Sequence, residues 1–239
     1  MKASLLALLL NVLAMNALAQ NPYQLAGTRE AVLAGSGVAG IGVSYLLRPH
    51  TTAFTPEQIA ALDISRIPRF DRFATRHYSA AARKGSDILF WTASAIPLLL
   101  LTEPAVRRDA STVGVVAGEV FLVNTALTLL TKELAHRPRP FLYNSAAPLS
   151  DKLKRDARMS FFSGHTSTSA AMCFATAKIW TDYHPDSQWE PAVWTAAVGI
   201  PAVVGYLRMK GGKHFLSDVL VGFAVGAATG LLVPQLHRR

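Results

Sequence analysis

The feature that most constrains this chain is a series of apolar stretches, each near the length a helix needs to cross a bilayer, separated by short polar clusters. Residues 113–130 are the clearest case, with only Glu119 and Asn124 as strongly polar interruptions. Residues 31–47, 88–101, 166–180, 192–207 and 219–232 complete the set. A spanning helix needs about 20 apolar residues. Residues 31–47 sit at that short limit, and 88–101 are interrupted by Pro97, which a membrane helix tolerates. No period-two alternation and no internal repeat competes with the helical reading. The expected class is all-α, a compact bundle of about six mostly transmembrane helices with its polar clusters at one membrane face, in one domain over residues 20–239.

Composition agrees where it bears on the argument. Charged residues are 16% of the chain and hydrophobic residues 51%, against about 25% charged in an ordinary soluble domain. The formal net charge of +9 fits anionic lipid or a phosphorylated substrate. Nucleic acid is the weakest of the possible partners and none is expected, because no basic helix interleaved with aromatics is present. The lone cysteine, Cys173, lies in an apolar stretch, cannot form an internal disulfide, and reads as a buried inert thiol.

The N-terminal part sets expectations about processing and surface. Residues 1–19 read as a secretory signal peptide: Lys2, an apolar core broken only by Asn11, then Ala17, Leu18 and Ala19 as a cleavage site. The competing reading is an uncleaved anchor helix. Residues 48–84 are polar. Thr55, Pro56 and Gln58 form a helix-start signature of cap, first-turn proline and box partner. Residues 67–78 alternate apolar positions with Arg69, Arg72 and Arg76, which predicts an amphipathic helix against lipid headgroups or on a solvated face.

Three polar clusters lie between residues 132 and 218. The first holds Lys132, Arg139 and Pro140; the second Ser163, Gly164 and His165; the third Arg208, His214 and Asp218. A transferring phosphoryl group spreads negative charge over its oxygens, and catalysis of that transfer is mostly positioning plus cationic stabilisation. Lys132, Arg139 and Arg208 supply cations, with arginine forks suited to bidentate contact. Ser163 and Gly164 precede an expected helix start, whose free N–H groups face an anion. His214 and Asp218 are four apart, so the carboxylate is expected to accept from one ring nitrogen and leave the other free to attack. His165 is the natural general acid. This scheme requires no metal and no cofactor, and the His and carboxylate spacing forms no convincing zinc set. Each cluster alone is weak, since basic residues between spans usually set topology.

Together, the three spacings resemble those of the type 2 phosphatidic acid phosphatase superfamily, which also includes bacterial acid phosphatases and vanadium haloperoxidases. That family's pattern is Lys-x6-Arg-Pro, then Pro-Ser-Gly-His, then Ser-Arg-x5-His-x3-Asp. Two positions depart from it: Phe162 stands for the proline and Leu207 for the serine. The first affects loop shape, and the second removes one expected phosphate hydrogen bond. The resemblance covers the C-terminal half strongly and the rest only in layout. It implies His214 as a nucleophile forming a phosphohistidine, His165 as acid, and Asp218 as the group orienting His214. Lys132, Arg139, Ser163, Gly164 and Arg208 would hold phosphate, leaving His136, Arg137 and Lys213 as electrostatic bystanders.

The function expected is removal of phosphate from a lipid phosphate or pyrophosphate of the phosphatidic acid, phosphatidylglycerol phosphate, undecaprenyl pyrophosphate or lipid A class. The alternatives are an exported soluble acid phosphatase of the same fold and, from another class, a polytopic transporter or scaffold. Haloperoxidase chemistry, which needs bound vanadate, is a distant third enzyme reading. The expected location is a bacterial inner membrane with the site facing the periplasm. That side requires an even number of spans before Lys132 if the N-terminus is released outside, and residues 31–47 would make the number odd. Headgroup choice is expected to come from residues 48–84 and 141–159.

Overall fold

The computed structural model describes residues 21–239. The proposed signal segment and its cleavage site lie outside the described residues. Six long helices carry the fold: α1 (Gly27–Leu47), α2 (Ala80–Ala95), α3 (Ala110–Ala135), α4 (Gly164–Tyr183), α5 (Glu190–Lys210) and α6 (Leu216–His237). A 3-10 segment, Ile96–Thr102, extends α2 past Pro97. Among the described residues no strand forms, and one isolated bridge pairs Tyr23 with Arg238. The all-α expectation holds, and among the described residues five helices are long and apolar enough to cross a membrane: every long helix except α4.

α4 is the exception because it is the centre. Its run from Thr166 to Ala175 is buried throughout, and it packs against α6, α5, α3 and α2. Its residues there are mostly small: Ser, Thr and Ala. Small side chains let helices approach closely where lipid offers no hydrophobic drive for association. α6 meets it with a matching stripe at Gly222, Gly226 and Gly230. A methyl group at those positions would lie 2.6 Å from Ser163 O, 2.0 Å from Ser167 O and 2.4 Å from Ala171 O. Polar contacts join α3 to α4 as well: Asn124 donates to Thr168 Oγ1 at 3.0 Å and accepts from Ser167 Oγ at 2.6 Å. Asn124 is thus a buried tie between helices rather than an interruption of a span.

α1 is a full helix. Its 21 residues reach about 32 Å at 1.5 Å each, enough for a hydrocarbon core of about 30 Å. It packs on α3, and two of its glycines explain how: a methyl at Gly37 would strike the Leu122 side chain, and one at Gly40 would strike Ala126. Gly35 and Gly42 face nothing. The predicted helix start at Thr55 is also present, with the Thr55 hydroxyl accepting from Gln58 N and the Gln58 side chain accepting from Thr55 N.

The predicted amphipathic helix over residues 67–78 does not form. Only a 3-10 turn, Arg72–Arg76, appears there, flanked by extended backbone at Ile67 and His77. Pro68 disfavours helix at the residue before it. Arg72 then donates to the carbonyls of Ile67 and Ser65, taking acceptors a helix would use. Ile67 and Ala74 pack on Phe215, while the buried Asp71 accepts from Ser217 N at 2.9 Å. Tertiary anchoring outweighs the local pattern.

The helices alternate in direction. The C-terminal ends of α1, α3 and α5 and the N-terminal ends of α2, α4 and α6 gather at one end of the bundle. At the opposite end, Tyr23 donates to Asp182 at 2.6 Å and Gln24 N to His237 O at 2.9 Å.

Candidate active site

Every residue singled out from the three clusters lies at that first end. Lys132 is in the last turn of α3, Arg139 follows α3, Ser163 caps α4, Arg208 is in the last turn of α5, and His214 and Asp218 flank the start of α6. α3 stops at His136, whose φ of 45° turns the chain so that Arg137 and Arg139 run back across the bundle end.

His214 is 1% exposed. Its Nδ1 lies 2.7 Å from Ser160 O, a carbonyl that can only accept, so Nδ1 carries the proton. Nε2 therefore bears the lone pair, and it lies 3.2 Å from Arg139 Nη1, a group that can only donate. Burial, then Arg139, Lys132, Arg208 and His165, hold His214 well below the ordinary imidazole range. Its ring is held neutral and its free nitrogen faces the Arg139 guanidinium. Arg139 is itself fixed by Asp156 Oδ1 at 2.7 Å, Asp156 O at 2.8 Å and Lys213 O at 2.8 Å.

The geometry revises the expected role of Asp218. Its Oδ2 is 3.7 Å from His214 Nδ1, beyond hydrogen-bond reach. That oxygen accepts instead from Phe215 N at 2.8 Å, capping α6, and from Ser160 Oγ at 2.5 Å. The other oxygen is taken by Arg137. The direct orienting group is the Ser160 carbonyl, which Asp218 holds through the Ser160 hydroxyl. A spacing of four residues places Asp218 near the ring, but the helix start claims its oxygens.

Arg137 is therefore no bystander. It joins Asp218 to the buried Asp71, 2.8 Å away, and its guanidinium lies over the Phe215 ring at 4.4 Å. Lys213 is also drawn in, at 3.4 Å from Asp156, and burial followed by Arg139 pushes it down to about 8. Burial opposes ionisation of Asp156, yet Arg139, Lys213 and Lys132 hold it well below the usual carboxylate range. His136 stands apart, its Nε2 2.9 Å from Thr51 Oγ1.

Ser163 is fully buried and its hydroxyl accepts from Thr166 N at 3.4 Å, while its own N donates to Asp218 O at 3.0 Å. A methyl on Gly164 would meet Thr128 at 2.8 Å and Lys132 Cε at 3.6 Å, which puts the start of α4 beside the lysine. Lys132 Nζ donates to Met159 O at 2.8 Å. Phe162, in place of the expected proline, is buried, and Leu207, in place of the expected serine, packs near Gly85.

His165 brings a partner the sequence reading did not single out. Its Nε2 is 2.9 Å from Asp87 Oδ1, and the same oxygen is 3.1 Å from Arg208 Nη1. Ser86 Oγ accepts from Arg208 at 3.3 Å, and the Phe90 ring centroid lies 4.5 Å from that of His165. An acid at the mouth of an apolar stretch was the available signal, since ionisable groups beside membrane segments are seldom idle.

A buried lone pair against Arg139, a second histidine beside a carboxylate and Arg208, and a helix N-terminus are thus gathered at one end of the bundle. The profile of the PAP2 superfamily matches residues 113–239, just over half of the chain. The chain belongs to the PAP2 superfamily. Among curated relatives it is similar to phospholipid phosphatase 1 of Rattus norvegicus, 29% identical over 97 residues, covering 39% of this chain and 34% of the relative. It is also similar to phospholipid phosphatase 2 of Rattus norvegicus, 35% identical over 81 residues, covering 32% of this chain and 29% of the relative. The matches thus span about a third of those relatives. A solved structure of a transmembrane PAP2-type phosphatidylglycerolphosphate phosphatase from Bacillus subtilis shares the fold, with a TM-score of 0.54 and 21% identity, covering 84% of this PAP2 chain and 95% of that one.

Proposed function

We propose that this PAP2 protein is a lipid phosphatase that works through a phosphohistidine on His214. The observation that carries the reading is the bare Nε2 of His214, set against Arg139 with the proton fixed on Nδ1 by Ser160 O. In the first step Nε2 attacks phosphorus, the P–N bond forms and the P–O bond to the lipid breaks. Protonated His165 gives its proton to the departing oxygen. In the second step water attacks the phosphohistidine, His165 accepts its proton, and inorganic phosphate leaves with the electron pair of the P–N bond returning to His214. Lys132, Arg139, Arg208 and the N-terminus of α4 with Ser163 and Gly164 hold the three phosphoryl oxygens. Burial, then Arg208, push His165 down to about 3 in the free site and Asp87 opposes that shift; the negative charge of a bound phosphate ester supplies the remaining support for its protonated form.

A lipid substrate is supported by the surroundings. One turn beyond Asp87, Trp91 begins an apolar cleft of about 590 Å³ that continues through Leu98, Gly114, Gly118 and Phe121 between α2 and α3. It opens on the outward face of the bundle, where Trp91 and Leu98 are exposed, so an acyl chain can enter sideways from lipid. The same exposed apolar faces weigh against the soluble acid phosphatase, and the convergence of all three clusters weighs against a transporter or scaffold. The lipid's headgroup, within the phosphatidic acid, phosphatidylglycerol phosphate, undecaprenyl pyrophosphate and lipid A classes, and the bacterial inner-membrane setting with a periplasm-facing site belong to the same proposal.

The test is phosphate release by purified protein in detergent, with chelator present, from a panel of lipid phosphates and pyrophosphates. His214→Ala is expected to lower the rate by about 10³-fold or more, the scale of removing an activated nucleophile or its acid partner. Rapid acid quench of the wild type should recover phosphate bound to protein, and His165→Ala should slow both steps. Activity only on water-soluble esters would move the reading to the acid phosphatase, and undiminished release by His214→Ala would reject the mechanism.

A further inference from the structure

At the bundle end opposite His214, α1, α3 and α6 bring together Glu30, Glu119 and His237. Each offers one ligand atom, and those atoms lie within 4.8 Å of one another. His237 Nε2 is 3.0 Å from Glu119 Oε2 and 3.2 Å from Glu30 Oε1. His237 is fully buried and Glu119 is 4% exposed. Among the described residues, neither oxygen of Glu119 nor Nε2 of His237 has a hydrogen-bond partner. Buried carboxylate oxygens and a buried imidazole nitrogen this close together are costly unless a proton or a cation is shared between them.

The orientation bears on which. His237 Nδ1 donates to Val233 O at 2.8 Å, which leaves the Nε2 lone pair facing the two carboxylates. Lone pair against carboxylate is repulsive until a cation sits between them, and metal-bound histidines are commonly oriented by such a bond from the other nitrogen. Spacing agrees. Two ligand atoms each about 2.0–2.1 Å from Zn2+ lie about 2.8–3.4 Å apart for angles between octahedral and tetrahedral. The two separations from Nε2 fall in that window. Glu30 is held from outside by Arg29 Nε at 3.0 Å and Nη2 at 2.7 Å on Oε1, and by Ala26 N at 2.6 Å on Oε2. With one guanidinium and two carboxylates, the neutral-imidazole cluster keeps one uncompensated negative charge.

We infer that Glu30, Glu119 and His237 bind a divalent transition-metal cation, Zn2+ foremost, which clamps the C-terminal end of α6 to α1 and α3. One imidazole with two carboxylates suits Zn2+ and then Mn2+ better than Ca2+ or Mg2+. The site is structural and separate from the phosphate site: Glu119 precedes Lys132 by 13 residues on α3, about 20 Å along the axis. It therefore stands whether or not the phosphohistidine mechanism does. It also accounts for Glu119, a carboxylate in mid-span that the phosphatase reaction leaves unused. The rival occupant is a proton, with His237 as an imidazolium between the two acids.

The experiment uses the full chain in detergent, purified without a histidine tag, stripped with chelator and then dialysed against ZnCl2, MnCl2 or CaCl2 in turn. Bound metal is counted by elemental mass spectrometry and the melting midpoint is followed. The expected result is about one Zn2+ per chain and a midpoint raised by several degrees, a smaller rise with Mn2+ and none with Ca2+. Glu119→Gln and His237→Gln should lose both the metal and the rise. Glu30→Gln, at the better exposed corner, should weaken Zn2+ binding by about tenfold or more and remains informative if the buried variants fail to fold. Zn2+ kept by all three variants, or none retained by the wild type, overturns the proposal. A midpoint that rises only on acidification through the imidazole range, without response to metal, also overturns it and assigns the space to a proton.

Discussion

His214 shows how much chemistry one side chain takes from its neighbours. Burial and the surrounding cations keep it neutral, so its lone pair stays available below the ordinary value of 6.5. The acid limb of kcat/KM should accordingly lie below pH 6.5. Lys213 works in the opposite sense: depressed to about 8, it is charged below that pH and loses its charge as pH rises through it. Loss of that charge should raise KM as pH passes through about 8, and Lys213→Gln should raise KM below that pH and flatten the rise; an unchanged pH dependence of KM would leave Lys213 without a role. Asp87→Asn should reduce kcat by about tenfold or more, the smaller part of a general-acid effect, while lowering KM because Arg208 is freed for phosphate. A merely structural Asp87 would give no such split. At this scale the residues that the sequence spacing singled out converge at one end of the bundle, because they sit close to helix ends whose order the chain dictates. The spacing missed Asp87, Asp71 and Ser160 and left Arg137 as a bystander, since their contacts to His165, Asp218 and His214 cross between elements far apart in sequence.

Among the elements, α4 and α6 carry the architecture. Their contact depends on a stripe of glycines against backbone carbonyls, and the tightest point is Gly226 over Ser167 O. Gly226→Ala should destabilise by at least the 1–3 kcal/mol or so of ordinary overpacking, read as a lower melting midpoint in detergent. Gly118→Ala, where a methyl meets nothing within 4 Å, is the matched control and should be near neutral. The helix start at Thr55 was legible because capping chemistry is local. Residues 67–78 were misread because Asp71, Arg72 and Ile67 answer to distant partners, and hydrophobic pattern alone cannot report those.

For the whole molecule, the alternation of six helices places Asn21 and His214 on opposite ends, and α1 runs the full height between them. A periplasmic site then requires Asn21 to be cytoplasmic, so release of a new N-terminus to the outside would put the site in the cytoplasm. Because Cys173 is buried, introduced cysteines can be read singly. Ser150→Cys, exposed near the phosphate site, and Gln188→Cys, exposed on the far loop, should react with a membrane-impermeant thiol reagent from opposite sides. Labelling of Ser150→Cys in intact cells would support the periplasmic orientation, and labelling of Gln188→Cys would reverse it. The sequence by itself determined the helical class, the apolar segments that become the long helices of the described residues, and which residues are candidates for the proposed phosphate site, because apolar length and motif spacing are properties of the chain read in order. Only the tertiary structure decided that α4 is the enclosed centre, that Asp218 reaches His214 through Ser160, and that Glu119 meets His237. Those facts depend on which helix faces turn towards one another, a matter of packing between segments rather than of any segment alone.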